Sequence, residues 1–126
     1  PRHALTPEEL QYLTDVDGVT HVAIGAVTRD EEGIEGPVAI GRFVRLAEDP
    51  ETADLAITVI DEYQRQGVGV IIFRRLIDAA RARGIVRFRS DIHPENEAAK
   101  RLVRTVVPAS EGHLRGSHLR FLIPLG

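Results

Sequence analysis

Along the chain, the first patterned stretch is "LTPEELQYL" (Leu5 to Leu13), which predicts a helix. Thr6 can cap it, Pro7 takes its first position, and Glu8 and Glu9 favour its positive end. "VTHVAIGAVT" (Val19 to Thr28) is β-branched and bounded by turn residues, as a strand is. The polar, glycine-punctuated run from Arg29 to Gly36 predicts a turn, and "PVAIGRFVRL" (Pro37 to Leu46) predicts its hairpin partner. "ADLAITVI" (Ala53 to Ile60) is apolar on both faces, the signature of a central strand. The period then changes. Gly69, Ile72, Phe73, Leu76 and Ala80 fall on one helical face, and Gly84 provides a stop. "IVRFRSDI" (Ile85 to Ile92) alternates as a strand, and a second helix follows Pro94 with a stripe of Ala99, Leu102, Val103 and Val106. "SHLRFLIPL" predicts a closing strand broken late by Pro124. The order predicts an α/β fold of the mixed-sheet α+β kind, with an antiparallel first half and a strand–helix–strand crossover in the second.

Composition narrows the class. A chain of 126 residues suits one domain spanning residues 1–126. With 43% hydrophobic and 28% charged residues it reads as a globular, soluble protein. No run approaches a membrane span and no secretory leader is read, so the expectation is a cytoplasmic protein. Without cysteine there is neither a disulfide framework nor thiolate chemistry. A net charge of −3 argues against a nucleic-acid binder. The densest basic stretch, Arg74 to Arg89, contains only one aromatic, Phe88, and its Arg74, Arg75, Arg81 and Arg83 read as a solvated helix face. The five histidines show no metal-ligand spacing, so no metal is expected.

One stretch carries chemistry. In "DEYQRQGVGVIIF", Gln64, Gly67 and Gly69 form Q-x-x-G-x-G between a strand and a helix. Glycine lets the backbone turn tightly and approach a ligand, and the first amides of a helix attract anions. A phosphate-binding ATPase loop would need Lys and Ser or Thr where Val70 and Ile71 stand. A dinucleotide fingerprint would need glycine at Ile72. Two readings stay open on spacing alone: a phosphate cradle, or glycines that only permit close packing.

The run from Ala53 to Leu102 resembles the core of the GNAT family, the acetyl-CoA-dependent N-acetyltransferases. It has, in order, the central strand, Q-x-x-G-x-G, the amphipathic helix, the next strand and a "PEN" helix start. More narrowly, Leu5 to Val27 and Ala39 to Leu46 are similar to the GNAT domain of bacterial protein-lysine acetyltransferases. The resemblance implies acetyl-CoA as co-substrate and a primary amine, such as a protein lysine, as acceptor. It implies that Gln66, Gly67, Val68, Gly69 and Val70 hold the pyrophosphate with Gln64 and Arg65 alongside. The pantetheine arm would add along the strand edge at Ile57, Thr58 and Val59, where the sheet splays, and Asn96 would contact the cofactor. Asp54 stands where the family's glutamate base would be, and Val103 where a tyrosine acid would be. The chain is expected to lack the family's first strand and helix, leaving an exposed sheet edge through which a homodimer could form. These departures make a weakly active or inactive CoA-binding regulatory module the alternative, and a sheet-edge interaction domain a third reading.

Overall fold

The computed structural model describes residues 10–16, 20–29, 32–33, 35–64 and 67–126. Strands β1 (Leu10–Val16), β2 (His21–Arg29), β3 (Glu35–Arg45) and β4 (Thr52–Val59) form an antiparallel meander. A short 3₁₀ turn (Asp61–Tyr63) and helix α1 (Val68–Arg81) cross over to β5 (Arg87–Ile92), which is parallel to β4. Helix α2 (Glu97–Val106) and the hairpin β6 (Gly112–Arg115) and β7 (His118–Pro124) complete the chain. The sheet runs β1-β2-β3-β4-β5-β7-β6, so β4 is the middle strand of seven. The mixed-sheet expectation and the crossover both hold.

Alternation explains the layering. Val22, Ile24 and Ala26 of β2, Phe43 of β3, Ala53 and Leu55 of β4, Phe88 of β5, and Phe121 and Ile123 of β7 are buried beneath the helices. α1 turns Val68, Gly69, Ile72, Phe73, Leu76 and Ala80 inward, the face its spacing predicts. It lies close because Gly41 has no side chain: a Cβ there would stand 2.6 Å from Ile72 Cγ2. The Phe43–Phe88 and Phe88–Phe73 rings, 5.4 and 6.4 Å apart, tie both halves of the sheet to the helix. Gly84 (φ 78°) ends α1: its N–H reaches the Arg81 carbonyl, and the Ile85 N–H reaches that of Ala80.

The first helix is a correction. Leu5 to Glu9 lie outside the described residues, but Leu10 to Leu13 belong to β1. Leu10 and Tyr12, two apart, both pack against the core, and β1 covers the free edge of β2 from Leu10↔Thr28 to Val16↔Val22. Pairing with that edge outweighs local helix signals. The β6 strand is also new; its turn is Gly116–Ser117, with Gly116 at φ 62°. No helix among the described residues is long and apolar enough to cross a membrane.

Candidate functional site

The seam between β4 and β5 is short. The strands pair from Thr52↔Arg87 to Asp54↔Arg89 and then part. Beyond that point β4 stays with β3 as far as Val59, and β5 stays with β7 as far as Ile92. The Leu46 N–H donates to the Thr52 carbonyl and the Ile60 N–H to the Val38 carbonyl, both at 2.9 Å. Alternation therefore turns the peptide groups of Asp54, Ala56 and Thr58 toward β3, and those of Leu55, Ile57 and Val59 into the gap. The two outer carbonyls of that set are taken. Ser90 Oγ donates to Leu55 O at 3.0 Å, and Gln64 Nε2 donates to Val59 O at 3.2 Å. The N–H and C=O of Ile57 and the N–H of Val59 are left facing the gap, the groups an extended ligand needs for strand-like addition.

The glycine turn closes one end. Gly67 stands at φ 83° as the residue before α1, and a Cβ there would meet nothing within 4 Å. Its requirement is conformational, since the left-handed region strains other residues. Gly69 differs: a Cβ there would stand 3.2 Å from Val59 Cγ2 and 3.3 Å from Leu102 Cδ2. The packing reading thus applies to Gly69, while Gly67 is required by the turn itself. No side chain caps α1 and its first turn holds no acid, so its free amides and positive end face the cleft uncompensated.

The far wall is α2. Asn96 Oδ1 accepts from the Ala99 N–H at 3.1 Å, a helix N-cap. Asn96 also lines the cleft, with Arg101, Leu102 and Thr105 behind it. The cleft of about 340 Å³ brings Ile57, Thr58, Val59, Gln64, Gly67, Gly69, Val70 and Asn96 together. Val68 is on the same turn, but its side chain is buried in the core, leaving only its N–H for a ligand. Arg65 and Gln66 lie outside the described residues.

A second cavity, of about 200 Å³, occupies the gap itself. Leu55, Ile57, Ser90 and Ile92 line it with Ala56 and Asp91, the residues between them on each strand, whose side chains belong to the opposite face. Val103 lines it too and can donate no proton. Asp54 stands at the last paired rung, on the face away from the helices. Its oxygens accept from Arg89 Nε at 2.6 Å and Arg89 Nη2 at 2.9 Å, a bidentate pair that raises the arginine's pKa further. The next pair along repeats it: Arg120 Nε and Nη2 bond Asp91 at 2.8 and 3.0 Å. These hydrogen bonds hold the Asp91 carboxyl below its usual range. Sequence reading missed Arg89, Ser90 and Asp91, although the period-2 pattern of "RFRSDI" places Arg87, Arg89 and Asp91 on one face. Among the described residues no three His, Cys, Asp or Glu side chains converge as a metal site.

Glycine turn, splayed strands and capped second helix around one cleft define the acetyltransferase class of fold, and family comparison agrees. The Acetyltransferase (GNAT) family model matches residues 2–105, and the chain belongs to that family. It is 36% identical over 95 residues to Acetyltransferase Pat of Mycolicibacterium smegmatis, covering 75% of this chain and 27% of that protein. It is 32% identical over 99 residues to Acetyltransferase PA5475 of Pseudomonas aeruginosa, covering 79% of this chain and 50% of that protein. The chain thus spans half or less of the length of these curated relatives. Among solved structures, the GNAT domain of S. lividans PAT superposes with a TM-score of 0.72 at 22% identity, covering 87% of this chain and 64% of that one. The Thermoplasma acidophilum PaiA N-acetyltransferase, solved with coenzyme A, gives 0.67 at 14% identity, covering 83% and 61%. At these identities the superpositions speak for the fold.

Proposed function

We propose that this chain is an acetyl-CoA-dependent N-acetyltransferase acting on a primary amine, with a protein lysine as the favoured acceptor. One observation carries the reading: Ile57 and Val59 with their open peptide groups, the uncapped start of α1, and Asn96 all line one cleft. CoA presents a pyrophosphate and an amide-bearing arm, which are the two chemistries these groups accept. Gly67, Val68, Gly69 and Val70, with Gln66 and Arg65, would take the pyrophosphate through backbone and charge. Ile57, Thr58 and Val59 would take the arm along the strand edge.

The thioester would enter from the helix side, where the cleft lies, and the amine from the open face that carries Asp54. There Asp54 would accept the ammonium proton. The freed amine attacks the thioester carbon; the C–N bond forms, the C–S bond breaks, and the proton left on nitrogen passes to the departing thiolate, a fair leaving group near neutral pH without a tyrosine at Val103. Asp54 must first share or surrender Arg89 to do this. That same pairing, with Val103 in the gap, favours the second reading, a GNAT-fold module that binds CoA with little or no turnover. The resemblance of the chain to Pat and PA5475 supports the enzyme.

Calorimetric titration with acetyl-CoA tests the shared part of both readings: saturable heat is expected, and no binding would overturn them. Acetylation of lysine-containing peptides at saturating acetyl-CoA then separates them. Turnover above the uncatalysed rate supports the enzyme, and none supports the binding module.

A further inference from the structure

We infer that Ser90 is a positioning residue that sets where the CoA arm stops along the β4 edge. The inference rests on the cleft being the CoA site. Ser90 is one of two buried polar residues among those described, the other being Thr52. Thr52 belongs to a polar knot with Asp49 and Arg87 at the paired end of the seam. Ser90 has no such company. It stands on β5 one residue past the last rung, and its hydroxyl crosses the opening gap to Leu55 O at 3.0 Å.

That carbonyl is the first one on the β4 edge that β5 no longer pairs. Left open, it would be a buried acceptor at the apex of the gap, next to the apolar side chains of Leu55, Phe73, Ile92 and Val103. An extended arm carrying amide N–H groups would then find two equivalent acceptors on the edge, Leu55 O and Ile57 O. They are two residues apart and present the same direction to the gap. The Ser90 hydroxyl removes the first of them. Gln64 does the same at the other end, where its amide occupies Val59 O while also bonding Asp61 Oδ1 at 3.2 Å. Between these two stops a single carbonyl, that of Ile57, remains for the arm. A strand-like ligand has no side chains of its own to fix its register, so blocking the neighbouring acceptors supplies one. Sliding by one acceptor would carry the thioester past Asp54's rung and into the paired seam. In this reading Gln64 acts through Val59 O and not as a direct phosphate ligand.

The test compares two probes on the purified chain: acetyl-CoA, which has the arm, and 3′-phospho-ADP, which has all three phosphates of CoA without it. In Ser90→Ala, the freed Leu55 carbonyl can accept from the arm, so acetyl-CoA affinity is expected to rise about three- to tenfold, the scale of one hydrogen bond, while 3′-phospho-ADP binds as in the wild type. Ser90→Thr, which keeps the hydroxyl, is expected to restore the wild-type ratio of the two affinities. Equal weakening of both probes in Ser90→Ala would mark Ser90 as merely structural and overturn the inference. So would an unchanged acetyl-CoA affinity, or a failure of Ser90→Thr to restore the ratio while its melting temperature matches the wild type. If the wild type binds neither probe, the CoA reading itself falls and the Ser90 role with it. If it binds both and the ratio ignores Ser90, only the Ser90 role falls.

Discussion

The glycine turn and the Asp54 corner bound the same open edge of β4, yet they are made differently. The turn offers backbone: Gly67 at φ 83°, an uncapped helix start, and amides with no partner in their own helix. The Asp54 corner offers side chains already engaged, with both carboxylate oxygens on Arg89. Asp91 and Arg120 on the neighbouring strands hold each other in the same way. A ligand can enter the first end without displacing any contact among the described residues. At the second it must compete with a charge-assisted bidentate pair, one of the stronger bonds a half-exposed surface makes. Binding and catalysis in this fold can therefore part company: the binding end is built into the backbone, and the catalytic end depends on which partner Asp54 prefers.

The largest break between the ends is expected from Asp54→Ala. If Asp54 takes the ammonium proton, peptide acetylation falls about 100- to 10,000-fold while acetyl-CoA affinity measured by titration is unchanged. Turnover equal to wild type would remove Asp54 as the base and leave its pair with Arg89 as structure. Next comes the opposite end. Gly67→Glu puts a β-carbon into a left-handed backbone and a carboxylate beside the helix start, so CoA affinity is expected to drop at least about 100-fold. Retained affinity in a folded variant, checked by circular dichroism, would refute the phosphate cradle.

The smallest effect sharpens the contrast between the two aspartates. Asp91 is held below its ordinary 3.8, chiefly by the Arg120 hydrogen bonds. A carboxylate with a depressed folded-state pKa stabilises the fold above its unfolded value and loses that contribution as pH falls through the folded one. Wild type is thus expected to lose stability below about pH 4 more steeply than Asp91→Asn, which has no such proton to bind. The group is largely exposed, so the difference is small and is read best from melting temperatures at low salt. Parallel acid limbs for the two proteins would show that the pair carries no measurable stability.

Much of this architecture was legible along the chain. The inward face of α1 follows from Ile72, Phe73, Leu76 and Ala80, and its end from Gly84. The central place of β4 was legible in its apolar run, but the reading of both faces as buried does not hold: Asp54, Ala56 and Thr58 are exposed on the face away from the helices. The glycine turn announced itself because glycine at a strand-to-helix junction has few other uses. The region from Leu10 to Leu13 did not, because local helix signals say nothing about the edge of β2 waiting to be paired. The β6 strand was equally hidden, being four residues with a mostly exposed face.

What the sequence alone determined, then, is whatever depends on neighbours along the chain: helix faces, the stop at Gly84, the tight glycine turn before α1, and the family those motifs announce. Only the tertiary structure decided what depends on strands distant in sequence. It separated Gly69, which a side chain would press against Val59 and Leu102, from Gly67, which has open space. It paired Asp54 with Arg89 across 35 positions, and brought Ser90 to the Leu55 carbonyl over the same separation. The reason is physical: which side of β4 keeps free peptide groups is set by where its pairing with β5 ends, and no local pattern carries that register.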